Sequence, residues 1–388
     1  MRQTVAFIHH RRGTMHATTI ASVAVSGALA LVGIAIAPAS QAANSDIVIG
    51  VEAPLTGAQA NNGMDMLRGV KLAVAQANAK GGVMGHKIRI VELDDQANPD
   101  NAAAMVTKAQ KAGVVAVVGP YNSSVGIVNL PLYLKAGIVP VHMTSTNDTD
   151  GMGVTVQPKN NQISPIEDAY AKSIGAKSVT MLVDPSTYTQ GMADRLATAL
   201  KSEGATVTTI PVAEGKNDYS AEVAQAFQGV PDLIYVSTYY PEGAKIAQRL
   251  ALSKLPTKCL MGLANVDAAF VTEAGKVAAQ RCVFSGVPEA AQMPGAKAAA
   301  YVAAYKKGFK TDPGVWGIFT YDSANLLFNK IGQVGNTKFT PVLKALQKTK
   351  NYKGATGTIT IRPSTGNRVN VPVYILKVDD KGVFAVVK

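Results

Sequence analysis

Residues 46–124 alternate between β-rich and helical stretches, and that alternation constrains the fold more than any other feature of the chain. Residues 46–52 (DIVIGVE) form a short β-branched run. Residues 64–79 carry Leu67, Val70, Val74 and Ala77 at helical spacing, and Gly81-Gly82 stops the pattern. Residues 87–93 are β-rich again, 99–112 helical, and 114–118 a fully apolar strand; GPYNSS (119–124) then opens another helix. Strands alternating with helices predict a parallel sheet covered on both faces. Ligands of such sheets sit beyond the carboxyl ends of the strands. The polar turn Tyr121-Asn122-Ser123-Ser124, directly after a buried strand, is therefore a candidate site.

A second α/β set starts at 178–183 (SVTMLV) and continues with a helix over 189–203 and strands at 205–212, 233–237, 259–263 and 282–286, with a helix at 241–252. Helices are predicted over 295–309, 315–332 and 339–348. The tail has two strand-like runs around 363–367 and a third around 379–382, consistent with antiparallel pairing. Three polar, aperiodic stretches, 156–164, 286–292 and 352–357, read as crossovers. At the front, Arg2, Arg11 and Arg12 precede an apolar run at 20–37 and a small-x-small site, Ser40-Gln41-Ala42. This predicts a cleavable signal peptide over 1–42. Its removal leaves 346 residues, enough for two ordinary domains. Net charge falls from +12 to +9 as the three arginines leave. The remaining lysines (Lys71, Lys80, Lys108, Lys111, Lys172, Lys177) are scattered on helix surfaces without a basic run or interleaved aromatics. No nucleic-acid partner is expected.

Catalytic chemistry finds little support. Beyond residue 42 only His86 and His142 remain, the first in a turn and the second ending an apolar strand. A hydrolase pairing of His142 with Ser123 or Ser145 lacks a GxSxG elbow and an identifiable orienting carboxylate. No phosphate-cradling, dinucleotide or HExxH motif occurs. Asp94 and Asp95 are adjacent, so on a strand end they point to opposite faces. The chain is read as a non-enzyme without metal or cofactor. Cys259 and Cys282 each open a predicted strand, and in an exported chain with two cysteines a disulfide is expected, two buried thiols being the alternative.

VEAPLTG (51–57), QANAKGG (76–82), VELDDQANP (91–99), VVGPYNSS (117–124), DPSTYTQGMADRL (184–196), YYPEGAKI (239–246) and WGIFTYDS (316–323) together resemble the periplasmic leucine/isoleucine/valine-binding proteins, the type I solute-binding family that feeds ABC importers. The resemblance implies an α/β fold of two Rossmann-like lobes with parallel central sheets joined by a three-segment hinge. Lobe 1 is expected over 43–160 plus 289–355 and lobe 2 over 161–288 plus 356–388. It further implies a periplasmic monomer that closes on a small ligand and delivers it to a membrane permease; a ligand sensor of the same fold is the other partner reading. By the same resemblance, Ser123 and Thr146 hold the ligand carboxylate, Thr144 helps through its backbone, and Asn122 belongs to the same turn. Tyr188 and Tyr239 close over the ligand from the second lobe, while Trp316 and Tyr321 are read as structural.

The sequence departs from the family at one place. Branched-chain amino-acid binders carry an acid after a strand ending in Met-Gly, facing the ligand's ammonium. Here Met261-Gly262 is followed by Leu263-Ala264-Asn265, so Ala264 occupies the expected carboxylate position. Either Asp267 reaches back to replace it, keeping a hydrophobic amino acid as ligand, or the ligand is an aromatic or other small carboxylate, or an amide, without an ammonium. The amino acid is kept ahead on family prevalence.

Overall fold

The chain folds around two sheets, seen in a computed structural model that describes residues 45–387; the expected signal peptide over 1–42 lies outside the described residues. The first sheet is wholly parallel, in the order β2 (Ile88–Asp94), β1 (Ile47–Ala53), β3 (Ala116–Val118), β4 (Val139–Val141). Strands β1, β3 and β4 are rich in β-branched residues and buried on both faces, the pattern a doubly covered parallel sheet requires, whereas the edge strand β2 exposes Arg89 and Glu92. Helices α1 (Ala60–Ala79), α2 (Ala102–Lys111) and α3 (Ser123–Lys135) connect them. The second sheet has seven strands. Five are parallel: β6 (Thr206–Pro211), β5 (Ser178–Val183), β7 (Leu233–Ser237), β8 (Lys258–Met261) and β9 (Val283–Gly286). Two more, β14 (Tyr374–Val378) and β15 (Phe384–Val386), join antiparallel beside β9. Helices α4 (Asn160–Ser173), α5 (Thr187–Ser202), α6 (Ser220–Ala226), α7 (Tyr240–Leu250), α8 (Ala268–Ala274) and α9 (Lys276–Ala279) accompany it.

After β9 the chain returns to the first sheet. Helices α10 (Ala296–Phe309), α11 (Gly317–Val334) and α12 (Phe339–Gln347) lie there, with α11 packed along α1. The two helix backbones touch: a Cβ at Gly69 would stand 2.0 Å from the Gly317 carbonyl, so glycine is required at that crossing. The buried carboxylate of Asp65 on α1 fixes this return. It accepts the N–H groups of Gly314 (3.0 Å), Trp316 (3.0 Å) and Gly317 (2.6 Å) and the Tyr305 hydroxyl (2.9 Å). Asp65 thus caps α11 from another helix, satisfying N–H groups that a helix start leaves unpaired.

Two hairpins, β10 (Tyr352–Gly354) with β11 (Gly357–Ile359) and β12 (Ile361–Arg362) with β13 (Asn367–Arg368), precede β14. The last passage between sheets therefore lies later than the expected 352–357, because Asp322 on α11 holds that hairpin through the N–H groups of Ala355 (2.7 Å) and Thr356 (2.8 Å). The stretch 156–164 likewise differs from expectation: α4 begins at Asn160. Its inward positions Asn160, Ile163, Glu167 and Ala171 follow the helical period, but two of them are polar, which hid the pattern. Glu167 is buried among hydroxyls, accepting from Ser285 (2.6 Å) and Tyr235 (3.1 Å). No helix among the described residues is long and apolar enough to cross a membrane.

Strands β8 and β9 are parallel neighbours, and Cys259 and Cys282 form a disulfide across them, as expected. The bond closes a loop of 23 residues in sequence separation. By loop-closure entropy, replacing both cysteines with alanine is expected to lower unfolding free energy by about 3 kcal/mol. Urea denaturation checks this, and an unchanged midpoint would show the bridge to be energetically idle.

Candidate functional site

The carboxyl ends of both sheets face one another, and the turns that leave them converge. From the first sheet come the β3 exit, Gly119-Pro120-Tyr121-Asn122, which carries a cis peptide bond at Pro120, and the β4 exit at 142–149. From the second come Tyr188 at the start of α5, Tyr239 before α7, and Leu263-Ala264 after β8. The N-terminus of α11 adds Trp316, set there by Asp65. Together they wall a cavity of about 20 Å³, also lined by Ser123, Met143, Ser145 and Gln157. That space holds one or two waters.

Four aromatic rings, those of Tyr121, Tyr188, Tyr239 and Trp316, contribute to the wall. Tyr121 lies 5.5 Å from Trp316 and 6.1 Å from Tyr239, and Tyr239 lies 6.0 Å from Tyr188, centroid to centroid. The Tyr188 hydroxyl is buried without a partner. Burial, with the Glu167 charge next in size, raises its pKa well above the usual phenol range, so it is a neutral donor. Ser123 begins α3, whose N-terminus has no side-chain cap; its oxygen accepts the Thr146 N–H at 3.2 Å. The free N–H groups of that first turn and the Ser123 hydroxyl make an anion-accepting corner. Opposite, Gln157 donates to the Met143 carbonyl and to Ser145 Oγ (2.9 Å), and Ser145 donates to the Pro158 carbonyl (2.8 Å). No Asp, Glu, Lys, Arg or His lines the cavity.

The structure brings together Ser123, Tyr188 and Tyr239 from the residues expected in the site, and sets the other four apart from the cavity wall. Asn122 donates to Gln59 Oε1 (2.9 Å) and lines a separate outer chamber of about 390 Å³, which shares Tyr239 and contains Glu214 and Glu242. The Thr144 hydroxyl bonds His142 Nδ1 (2.8 Å) and Thr149 Oγ1 (2.7 Å). The Thr146 hydroxyl donates to Asp148 (2.9 Å), and Ser145 rather than Thr146 reaches the wall. Asp267 caps α8, accepting the Ala269 N–H at 2.7 Å, and accepts the Asn61 amide at 2.7 Å. Ala264, not Asp267, faces the cavity.

Trp316 corrects the structural reading: it lines the cavity. Tyr321 donates to Gln76 (2.7 Å), away from it. The Trp316 position was hidden because it depends on a cap from Asp65, 251 residues away in sequence. Tyr121 stood in the candidate turn without an assigned role, and only the converging exits give it one. His142 partners Thr144 rather than either serine of the hydrolase arrangement.

Across the cleft, the Asn61–Asp267 bond is joined by Tyr240 donating to the Ala58 carbonyl (2.8 Å), Thr187 N–H to Ser124 Oγ (3.1 Å), and Arg195 to Asn147 (2.9 Å). These contacts tie the two sheets' loops together around the cavity.

The chain is similar to a Leu/Ile/Val-binding protein homologue of Brucella abortus, 29% identical over 327 residues, covering 81% of this chain and 86% of the relative. Its fold matches the branched-chain amino acid transporter substrate-binding protein of Streptococcus pneumoniae, solved with isoleucine (25% identity, TM-score 0.79, 88% of this chain and 99% of the other). It matches equally a solute-binding protein of an ABC transporter from Rhodopseudomonas palustris, solved with 3,4-dihydroxybenzoic acid (23% identity, TM-score 0.78, 88% and 96%). The sequence model of the periplasmic binding protein family matches residues 46–383, and the chain belongs to that family.

Proposed function

We propose that this protein is an extracytoplasmic solute receptor of an ABC importer, exported by its first 42 residues, which closes on a small carboxylate with an aromatic or aliphatic body and no ammonium. One observation carries the ligand class: the cavity combines an uncapped helix N-terminus at Ser123 with four aromatic rings and holds no carboxylate. A buried ammonium without a counter-charge would cost several kcal/mol. The Rhodopseudomonas palustris relative, bound to a benzoic acid, is a precedent for such ligands on this fold. A hydrophobic amino acid is the second reading, favoured by the relatives from Brucella and Streptococcus; it requires Asp267 to leave its α8 cap. This reverses the order expected from the sequence alone. The cavity is smaller than either ligand, so binding involves opening and reclosure about the three passages between sheets.

Trp316 is the single tryptophan of the chain, so its emission reports directly on the site. Benzoate and hydroxybenzoates are expected to shift that emission and to raise thermal stability, by about 2.7 kcal/mol at a hundredfold excess over Kd. Scattering should show a smaller radius of gyration on saturation. Silence from Trp316 with benzoates, amino acids and amides alike would refute the receptor reading.

A further inference from the structure

The outer chamber of about 390 Å³ is built by loops of both sheets. Asn98 and Asn122 enter it from the exits of β2 and β3, Glu214 and Tyr239 from those of β6 and β7, and Glu242 from the first turn of α7. Its charged lining residues are Glu214 and Glu242, with no Lys, Arg or His among them. Asp184, buried beside it, adds a third carboxylate whose charge acts on both glutamates. The chamber is therefore a concentration of negative charge in a chain of net charge +12.

Neither glutamate is paired with a cation. Glu242 is 6% exposed; its Oε1 accepts the Gly215 N–H (3.0 Å), while Oε2 has no partner in another residue and is not sealed from the chamber. A carboxylate is favourable in the first turn of a helix, which accounts for its position but not for the free oxygen. Glu214 is exposed, and no hydrogen bond acts on its carboxylate. Lys245, whose charge reaches Glu242, donates instead to the Lys216 carbonyl (2.7 Å), and Lys216 pairs with Glu222. Asn122, 4% exposed, donates its amide to Gln59 and leaves Oδ1 without a partner.

We propose that this chamber is a second binding site, taking a short-chain aliphatic amine as its cation at Glu242 and Glu214, and that its occupancy strengthens carboxylate binding in the cleft. Among the described residues no cluster of three or more metal-ligating side chains occurs, so the donor set suits an organic cation better than a metal ion. Pro99, Pro185 and Pro241 give the chamber apolar faces for a hydrocarbon body. The link is electrostatic. Tyr239 lines both spaces, and Ser124 lines the chamber while its neighbour Ser123 lines the cleft cavity. Unpaired carboxylates so close to the anion-accepting corner oppose an anion there, and a bound cation removes the opposition. The coupling is reciprocal. The link rests on the carboxylate reading of the cleft; the amine site does not.

The test is calorimetry with 1,4-diaminobutane against matched sodium chloride. Burial raises both carboxyl pKa values, so the titration is run at pH 8 to keep them ionised. Wild type is expected to bind one diamine. Glu242→Gln should weaken that binding at least tenfold, and Glu214→Gln severalfold. Glu214 is exposed, so its variant keeps the test valid if Glu242→Gln fails to fold. Glu92→Gln, whose carboxylate pairs with Lys71 on the protein surface, should stay within twofold of wild type. No diamine binding to wild type, or equal binding in all three variants, would overturn the site. Binding of calcium chloride without binding of the diamine would overturn the amine assignment. Benzoate affinity should rise at least threefold in saturating diamine and stay unchanged by it in Glu242→Gln; an unchanged wild-type value would overturn the link. Failure of benzoate to bind at all would remove the link with the cleft reading and leave the diamine titrations standing, so the two fail separately.

Discussion

Ala264→Glu is expected to exchange the ligand class of this receptor. In the wild type, calorimetry should show benzoate binding and no leucine binding at comparable concentration. In the variant, the new carboxylate stands in the cavity wall, where it pairs an ammonium and repels an anion lacking one. The leucine ammonium, unpaired in the wild-type cavity, then gains a counter-charge. Removing an unpaired buried charge is worth roughly 3–5 kcal/mol, so the preference should change by about a thousandfold or more. The companion variant is Asp267→Asn. Tight leucine binding by wild type that disappears in Asp267→Asn would reject the carboxylate reading and establish Asp267 as the ammonium partner.

The legibility of this fold followed the clarity of its periods. Strand β5 was readable to the residue because its buried face is uninterrupted, and β7 for the same reason. Helix α4 was not, because Asn160 and Glu167 occupy inward positions that the apolar period would assign to hydrophobes. Helices α8 and α9 are seven and four residues long, too short for periodicity to declare. The third passage between sheets was placed too early because the contact that anchors the β10–β11 hairpin, Asp322 to Ala355 and Thr356, is tertiary.

The site divides in the same way. Ser123, Tyr188 and Tyr239 reach the cavity because each sits immediately past a strand end, a position visible in the sequence. Thr144 and Thr146 satisfy the same rule, but their hydroxyls have local partners in His142, Thr149 and Asp148. Short polar side chains in turns compete for nearby groups in this way, and residue type alone does not reveal which bond wins. Trp316 required knowledge that α11 returns to α1. The absence of a charge opposite Ser123 was legible at Ala264, and the structure turns that local departure into a property of the whole cavity.

Ligand affinity is expected to fall as pH rises from 5 to 7. Asp267 is 4% exposed, and its carboxyl is pushed up to about 7 by burial; hydrogen bonds from Ala269 and Asn61 pull it down, and the charges of Asp65 and Glu273 push it up. Asn61 and Asp65 belong to α1, across the cleft, whereas Ala269 and Glu273 travel with Asp267 on α8. Opening exposes Asp267 while keeping the Ala269 cap, which returns its pKa towards the ordinary range near 3.9. The closed state therefore has the higher pKa and binds the proton more tightly. Closing takes up a proton between those two values, so acid favours closure, and the advantage is lost as pH rises through about 7. One such proton weakens binding between ten- and a hundredfold from pH 5 to 7, with little further change above. Measuring above pH 5 keeps the ligand carboxylate, with a pKa of about 4, ionised. Glu214 and Glu242 in the outer chamber are raised by burial as well and add slope of the same sign. Calorimetry at pH 6 in buffers of different ionisation enthalpy should register uptake of about one proton per ligand in wild type, and Asp267→Asn should lose most of it. An affinity flat between pH 5 and 7 would mean that Asp267 stays buried in the open form, and that the Asn61 contact is not made and broken as the lobes move.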